Sequence, residues 1–154
     1  MDLEVLAGTP DAFKSALDLL GAARFAAPPA PNEWSPAQIL IHVRAADLVI
    51  APRFMQVLVR SGVTLPDFDE RAVGDRLTRV PVPFDELIGA FNARRSELIA
   101  LLRTLSAEDL ELHGEHETRG RVTITDIYQS LVEHEREHLD QLNAAVVRLA
   151  DQMS

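Results

Sequence analysis

Four long segments of the chain repeat apolar residues at intervals of three and four, the spacing of one face of an α-helix. Most of the nine prolines lie between these segments, in two groups at residues 28–36 and 66–83. No segment alternates apolar and polar residues convincingly enough to indicate a half-buried strand. The pattern predicts an all-α chain without a sheet of three or more strands. Its amphipathic helices are expected to pack as a four-helix bundle.

The predicted helices lie near residues 9–24, 36–61, 84–105 and 123–151. Thr9 is expected to cap the first helix, because Pro10 would follow at the first helical position. The second helix has the clearest start, since Ser35 and Gln38 have the spacing of a capping box. Pro52 lies inside this helix and is expected to kink it.

The connection at residues 63–83 shows little periodicity and is long for a compact domain. A tight antiparallel turn needs only a few residues, so this segment is predicted to cross the bundle. The second and third helices would then run parallel. A short helical turn is expected after Ser106, followed by a polar loop that contains His113 and His116.

Composition limits the function further. The 154 residues suit one domain, predicted to span residues 1–154. Cysteine is absent, which excludes disulfides, iron–sulfur clusters, thiolate zinc sites and a cysteine nucleophile. A net charge of −9 disfavours binding to nucleic acid or anionic lipid. No secretory signal or apolar run long enough for a membrane span is evident, so a cytoplasmic location is expected.

Three of the five histidines fall on predicted apolar helix faces. His134 and His138 are four residues apart, which places both imidazoles on one face of the last helix. His42 points inward on the second helix, between Ile39 and Ala46. Burying three unpaired imidazoles would be costly, and a shared metal ion would satisfy one nitrogen of each. A metal site and ordinary buried histidines with hydrogen-bond partners both remain open at this point.

For the other residues near these histidines, a role is predicted from the type of side chain. Candidate hydrogen-bond partners of the imidazoles are Asp47, Asp140 and Gln141. Residues expected to be solvated are Glu133, Glu135, Glu137, Asp140, Arg94 and Arg95. His113 and His116 are expected at the surface, and Trp34 and Tyr128 are expected to be packing residues.

Three motifs together resemble the DinB/YfiT-like proteins. They are W-S-x-x-Q-x-L-x-H at residues 34–42, G-x-V-T at 120–123 and H-x-x-x-H-x-x-Q at 134–141. The resemblance covers nearly the whole chain and implies a four-helix bundle with long crossover connections, often a homodimer. It implies that His42, His134 and His138 bind a divalent metal, commonly nickel or zinc and sometimes manganese or iron. A second apolar stripe for the dimer would contain Val57, Leu58 and Leu101.

The resemblance also implies a class of activity, because some relatives are S-transferases that use bacillithiol, mycothiol or glutathione. Three neutral imidazoles leave an open coordination position, which suits either thiolate transfer or hydrolysis of a small molecule. A thiol S-transferase is placed first, with a metal-dependent hydrolase and a non-catalytic metal-binding stress or interaction protein as alternatives. An open position facing a cleft lined by residues 63–83 would favour the enzyme. A fourth protein ligand would favour the non-catalytic protein.

Overall fold

The computed structural model describes residues 1–152, so residues 153 and 154 of the predicted domain lie outside the described part. Within these 152 residues, six helices and three strands follow one another. They are α1 (Glu4–Phe25), α2 (Pro36–Val59), β1 (Val63–Leu65), α3 (Glu70–Leu77), α4 (Phe84–Leu102), α5 (Ala107–Leu110), β2 (His113–His116), β3 (Gly120–Thr123) and α6 (Ile124–Asp151).

The four long helices form a bundle in which α1 packs on α4 and α6, and α6 also packs on α2. Two apolar clusters fill its ends. One combines the start of α1, the ends of α2 and α4, and the start of α6: Leu6, Phe54, Val57, Leu98, Leu102, Ile127 and Leu131. The other combines the middle and end of α1, the starts of α2 and α4, and the later part of α6: Phe13, Leu17, Ile39, Val43, Leu87, Phe91 and Leu142. Helices α2 and α4 are therefore parallel, which confirms the prediction that the long connection crosses the bundle.

The prediction that no sheet of three strands is present is wrong. Strands β2 and β3 form an antiparallel hairpin, and β1 pairs in parallel with β2. Gly114 permits this close pairing, because a Cβ there would lie 2.6 Å from Cδ1 of the buried Leu65. A strand of three or four residues presents at most two side chains to each face, which is too few for alternation to be recognised in the sequence.

The predicted start of the first helix is also wrong. Helix α1 begins at Glu4, five residues before Thr9, and Pro10 lies in its interior. Proline has no N–H to donate to the carbonyl four residues earlier. Nη1 of Arg95 donates to that carbonyl oxygen, on Leu6, at 3.0 Å. A side chain from another helix thus replaces the lost backbone donor.

The remaining boundaries agree with the sequence to within a turn. The capping boxes at Ser35, Ser106 and Thr123 are formed, and α2 continues through Pro52. Gly21 has φ of +70° and redirects the end of α1, so that Phe25 is buried. The connection at residues 63–83 contains β1 and α3, and α3 packs on α2. Within residues 1–152, no helix combines the length and apolarity that a membrane crossing requires.

Candidate metal centre

The structure brings His42, His134 and His138 together. One ring nitrogen from each lies within 4.8 Å of the corresponding nitrogens of the other two. The Nε2 atoms of His42 and His134 are 3.0 Å apart. The ring of His138 lies 4.5 Å, centroid to centroid, from each of the other rings. Helix α2 supplies one imidazole, and adjacent turns of α6 supply the other two.

The surroundings favour uncharged imidazoles in two of these residues. Burial, with the neighbouring His138 and His42 acting in the same direction, lowers the pKa of His134 to about 4. Burial also lowers the pKa of His42, with His138 acting in the same direction. Both rings are therefore neutral at pH 7, so each has a nitrogen lone pair available to bind a cation.

Hydrogen bonding orients one of the rings. Gln141, one turn after His138 on α6, accepts a hydrogen bond from Nδ1 of His138 at 2.9 Å. The lone pair of His138 is then on Nε2, the pattern expected of a ligating imidazole. Nδ1 of His134 is buried and has no hydrogen-bond partner among the described residues. Gln141 was predicted to be a hydrogen-bond partner of an imidazole, and this contact confirms it. Asp140, another predicted partner, is exposed.

The cluster suits a divalent metal by chemistry and by spacing. Imidazole nitrogen is a good ligand for nickel, zinc and similar ions. Two nitrogens that bind one ion at about 2.1 Å, with an angle of about 90–109° between them, lie about 3.0–3.4 Å apart. The 3.0 Å between His42 and His134 is at the lower end of that range. The group contains three donor residues, so it leaves coordination positions for other ligands.

A cavity of about 580 Å³ opens onto this cluster at His42. One wall is formed by α2 around Ile41, and the facing wall is formed by α3 and the residue after it, residues 70–78. Glu70 lies nearest the cluster, with Oε2 3.7 Å from Nε2 of His42. The cleft expected beside residues 63–83 is therefore present, and α3 forms its wall.

Trp34, predicted to be a packing residue, lies at the edge of this cavity and is 41% exposed. Its ring centroid is 5.1 Å from that of His42. The Trp34 ring is nearly parallel to the ring of His138, and the two ring centroids are 6.2 Å apart. Trp34 therefore covers one side of the histidine cluster and presents an aromatic face to the cavity. Tyr128 is buried, as predicted, and its hydroxyl donates to the carbonyl of Asp2.

The expectation that Arg95 and Glu135 are solvated is wrong, since the side chain of each is only 1% exposed. Nη1 and Nη2 of Arg95 donate to the two carboxylate oxygens of Glu135 at 2.7 and 2.5 Å. Nη2 also donates to Asp47 at 2.9 Å. Asp47 is thus paired with Arg95, and with Arg94 at 3.2 Å, and not with an imidazole as expected.

These buried groups connect all four long helices at the level of the histidines. Arg95 on α4 binds Glu135 on α6, Asp47 on α2 and a carbonyl of α1, and Thr9 of α1 donates to Glu135 at 2.5 Å. Burial by itself would lower the pKa of Arg95, but the hydrogen bonds and charges of Glu135 and Asp47 raise it. Since Glu135 is next to His134, the network fixes α6 against α2, the two helices that carry the cluster.

His113 and His116 lie outside the cluster, although the surface position expected for them is only partly correct. The side chain of His113 is 30% exposed, and its Nδ1 is 3.3 Å from Oγ of Ser61. His116 is 6% exposed, and its Nδ1 accepts from the backbone N–H of Thr118 at 3.3 Å. Burial lowers the pKa of His116, and Arg53 lowers it further. Strand pairing buries His116, and the sequence did not predict that strand.

Comparison with known proteins agrees with this architecture. The model of the DinB superfamily matches residues 6–142. Comparison with curated proteins gives no match. Among solved structures, the chain resembles YfiT from Bacillus subtilis, described as a probable metal-dependent hydrolase with an unusual four-helix bundle topology. The two share 20% sequence identity with a TM-score of 0.81, over 98% of this chain and 85% of YfiT.

Proposed function

This chain belongs to the DinB superfamily, and from that premise we propose that it is a divalent-metal-dependent enzyme acting on a small molecule. His42, His134 and His138 are the proposed ligands, with nickel or zinc as the first candidates and manganese or iron next. The observation that carries the proposal is a cluster of three imidazoles at the edge of a cavity of about 580 Å³. That volume is typical of small-molecule sites.

The arrangement favours catalysis over a purely structural metal site. Structural zinc sites are closed by four protein ligands, whereas catalytic sites keep a position open. Within the described chain, the group of donors has three members, and Glu70 stands 3.7 Å from His42 as its nearest carboxylate. The cavity also reaches His42 directly, so a substrate would have access to the cluster.

Thiol S-transfer is the reaction that we place first. A bound divalent ion would supply a Lewis acid that favours the deprotonated form of a thiol or of water. The chain has no cysteine, so the sulfur must come from a cosubstrate such as bacillithiol, mycothiol or glutathione. Trp34 would exclude water from one side, and Gln141 would hold the ring of His138 in place.

Hydrolysis of a small molecule is the second candidate, supported by the description of YfiT. It needs the same open position, filled by water instead of a thiol. A non-catalytic metal-binding stress or interaction protein is the remaining alternative. The two reactions differ in cosubstrate, so they can be separated by assay.

The test is to load the purified protein with zinc or nickel and to supply each of the three thiols with monochlorobimane. In the expected reaction a carbon–sulfur bond forms, the carbon–chlorine bond breaks, and chloride and a proton are released. The rate should exceed that of the same mixture without protein, and it should fall to that background when the metal is removed. Metal-dependent cleavage of esters or amides without thiol conjugation would favour the hydrolase. Inactivity in both assays, with tight metal binding, would favour the non-catalytic protein.

A homodimer is a further proposal, supported by the resemblance that the sequence shows. The stripe first expected to form its interface is used inside the protomer, because Val57 is fully buried and Leu58 and Leu101 pack on the same core cluster. Helix α2 exposes another stripe, formed by Leu48, Met55 and Val59 at exposures of 38%, 50% and 78%. Their spacing of seven and four residues places them on one face, and we propose that a second copy of the chain covers it.

Light scattering should therefore give about twice the chain mass of 17.0 kDa at micromolar concentration. Met55→Glu should shift the protein toward the monomer, because it places a charge in the middle of the stripe. Val147→Glu is the matched control, since Val147 is 59% exposed on α6, outside the stripe. A single 17.0 kDa species for the unaltered protein would contradict the dimer.

A further inference from the structure

The wall of the cavity opposite His42 carries an unusual arrangement of charge. Glu70, Arg71 and Asp75 of α3 all line the cavity. Arg71 and Asp75 are four residues apart, so their side chains leave the same face of the helix. Neither takes part in an ion pair within the part of the chain that the structure describes, and both are exposed. A cation and an anion without protein partners therefore stand side by side over the cavity.

Helix stability does not explain this pair. A helix favours anions in its first turn and cations in its last turn. Arg71 is in the first turn of α3 and Asp75 is in the last, the reverse of that preference. An acidic residue placed four positions before a basic one is also the better order for a helical ion pair, and this pair has the opposite order. Glu70 and Arg76 have the favourable positions on the same helix.

We infer that the cavity binds a small zwitterion, a molecule that carries an ammonium and a carboxylate close together, as an α-amino acid does. Arg71 donates to the carboxylate, a group that fits the planar guanidinium. Asp75 accepts from the ammonium. The remainder of the molecule passes Trp34 and Ile41 toward His42. This inference rests on the proposed function only in assigning the reactive end of the molecule to the histidine cluster.

The balance of charge in the wall favours such a molecule over ligands with a single charge. Glu70 and Asp75 outnumber Arg71, and the chain as a whole carries −9. A molecule with a carboxylate alone would meet two carboxylates on the same wall as Arg71, whereas a molecule with an ammonium alone would leave Arg71 without a partner. Only a ligand with both charges satisfies Arg71 and the acidic residues together.

Four thioethers with a common skeleton test this directly. S-Methyl-L-cysteine has both charges, 3-(methylthio)propionate lacks the ammonium, 2-(methylthio)ethylamine lacks the carboxylate, and ethyl methyl sulfide lacks both. Each is titrated by calorimetry into the zinc-loaded and the zinc-free protein. S-Methyl-L-cysteine should bind about tenfold more tightly than either singly charged compound, because each loses one charge-assisted contact. The order of affinities should be the same without zinc, since Arg71 and Asp75 do not depend on the ion.

Two variants assign the contacts. Arg71→Gln should remove the advantage of compounds that carry a carboxylate, and Asp75→Asn should remove the advantage of those that carry an ammonium. Arg76→Gln is the matched control, because Arg76 is on the same helix but does not line the cavity; it should leave all four affinities unchanged. Equal affinities for the four compounds, or an unchanged preference in Arg71→Gln, would overturn the inference. Absence of zinc binding would overturn the proposed function alone, since the thioether series is also measured without zinc.

Discussion

His42→Ala should weaken the binding of nickel and zinc by about 100-fold or more. His42 is the only member of the cluster that α2 supplies, so its removal leaves two ligands from α6. Two imidazoles on one helix hold an ion far less tightly than three that surround it. Calorimetric titration of the purified, metal-free protein gives the two dissociation constants directly.

His113→Ala is the matched control, because it removes an imidazole that lies outside the cluster and is partly exposed. It should bind both metals as the unaltered protein does. Thermal unfolding gives a second measurement, since a ligand present at 100 times its dissociation constant stabilises the folded state by about 2.7 kcal/mol. That stabilisation should be absent in His42→Ala and present in His113→Ala. Equal affinity in His42→Ala and the unaltered protein would show that no site joins α2 and α6.

Arg95→Met is expected to destabilise the protein by about 3–5 kcal/mol, the usual cost of removing one partner from a buried ion pair. The side chains of Glu135 and Asp47 are each only 1% exposed. Without Arg95, Glu135 would be a buried charge without a cationic partner, and the carbonyl of Leu6 would lose its donor. Thermal denaturation should show a decrease in Tm of roughly 10 °C for a chain of this length.

Arg94→Met serves as the control for this effect. Arg94 also binds Asp47, but its side chain is 32% exposed, so its loss should cost about 1 kcal/mol or less. The double variant Arg95→Met with Glu135→Met should recover part of the lost stability, because no uncompensated Glu135 remains. A Tm for Arg95→Met equal to that of Arg94→Met would mean that the network contributes little to the bundle.

The apolar periodicity of the chain predicted which residues face the core, because that periodicity is a local property of each helix. Ile39, Phe91, Leu131 and Leu142, which lie on the apolar stripes of their helices, are buried. Capping residues gave the starts of α2 and α6 correctly because they act through backbone groups within three residues. The start of the first helix was predicted wrongly at Thr9 because the contacts of this residue are not local. Its hydroxyl bonds to Val5 and to Glu135 on another helix, a contact that no local pattern contains.

The buried charges show a signal that was present in the sequence. Arg95 falls between Phe91 and Leu98 on the apolar stripe of α4, and Glu135 falls between Leu131 and His138 on that of α6. Both positions predict burial by the same periodicity that predicted the core. The chemical type of the residues suggested solvent exposure instead, because Arg and Glu are rarely buried unless they are paired. The partner that makes burial possible lies 40 residues away in the chain.

The sequence by itself therefore determined the four long helical segments, their inward faces and the three histidines that could share a ligand. It did so because helix periodicity and the i,i+4 spacing of His134 and His138 are local. Only the tertiary structure decided that His42 lies beside this pair and that α3 forms a wall of the cavity next to them. It also decided that Arg95 binds both Asp47 and Glu135 in the bundle interior. Each of these depends on which turn of one helix lies opposite which turn of another. That choice is made by packing across the whole bundle and not by neighbours in the chain.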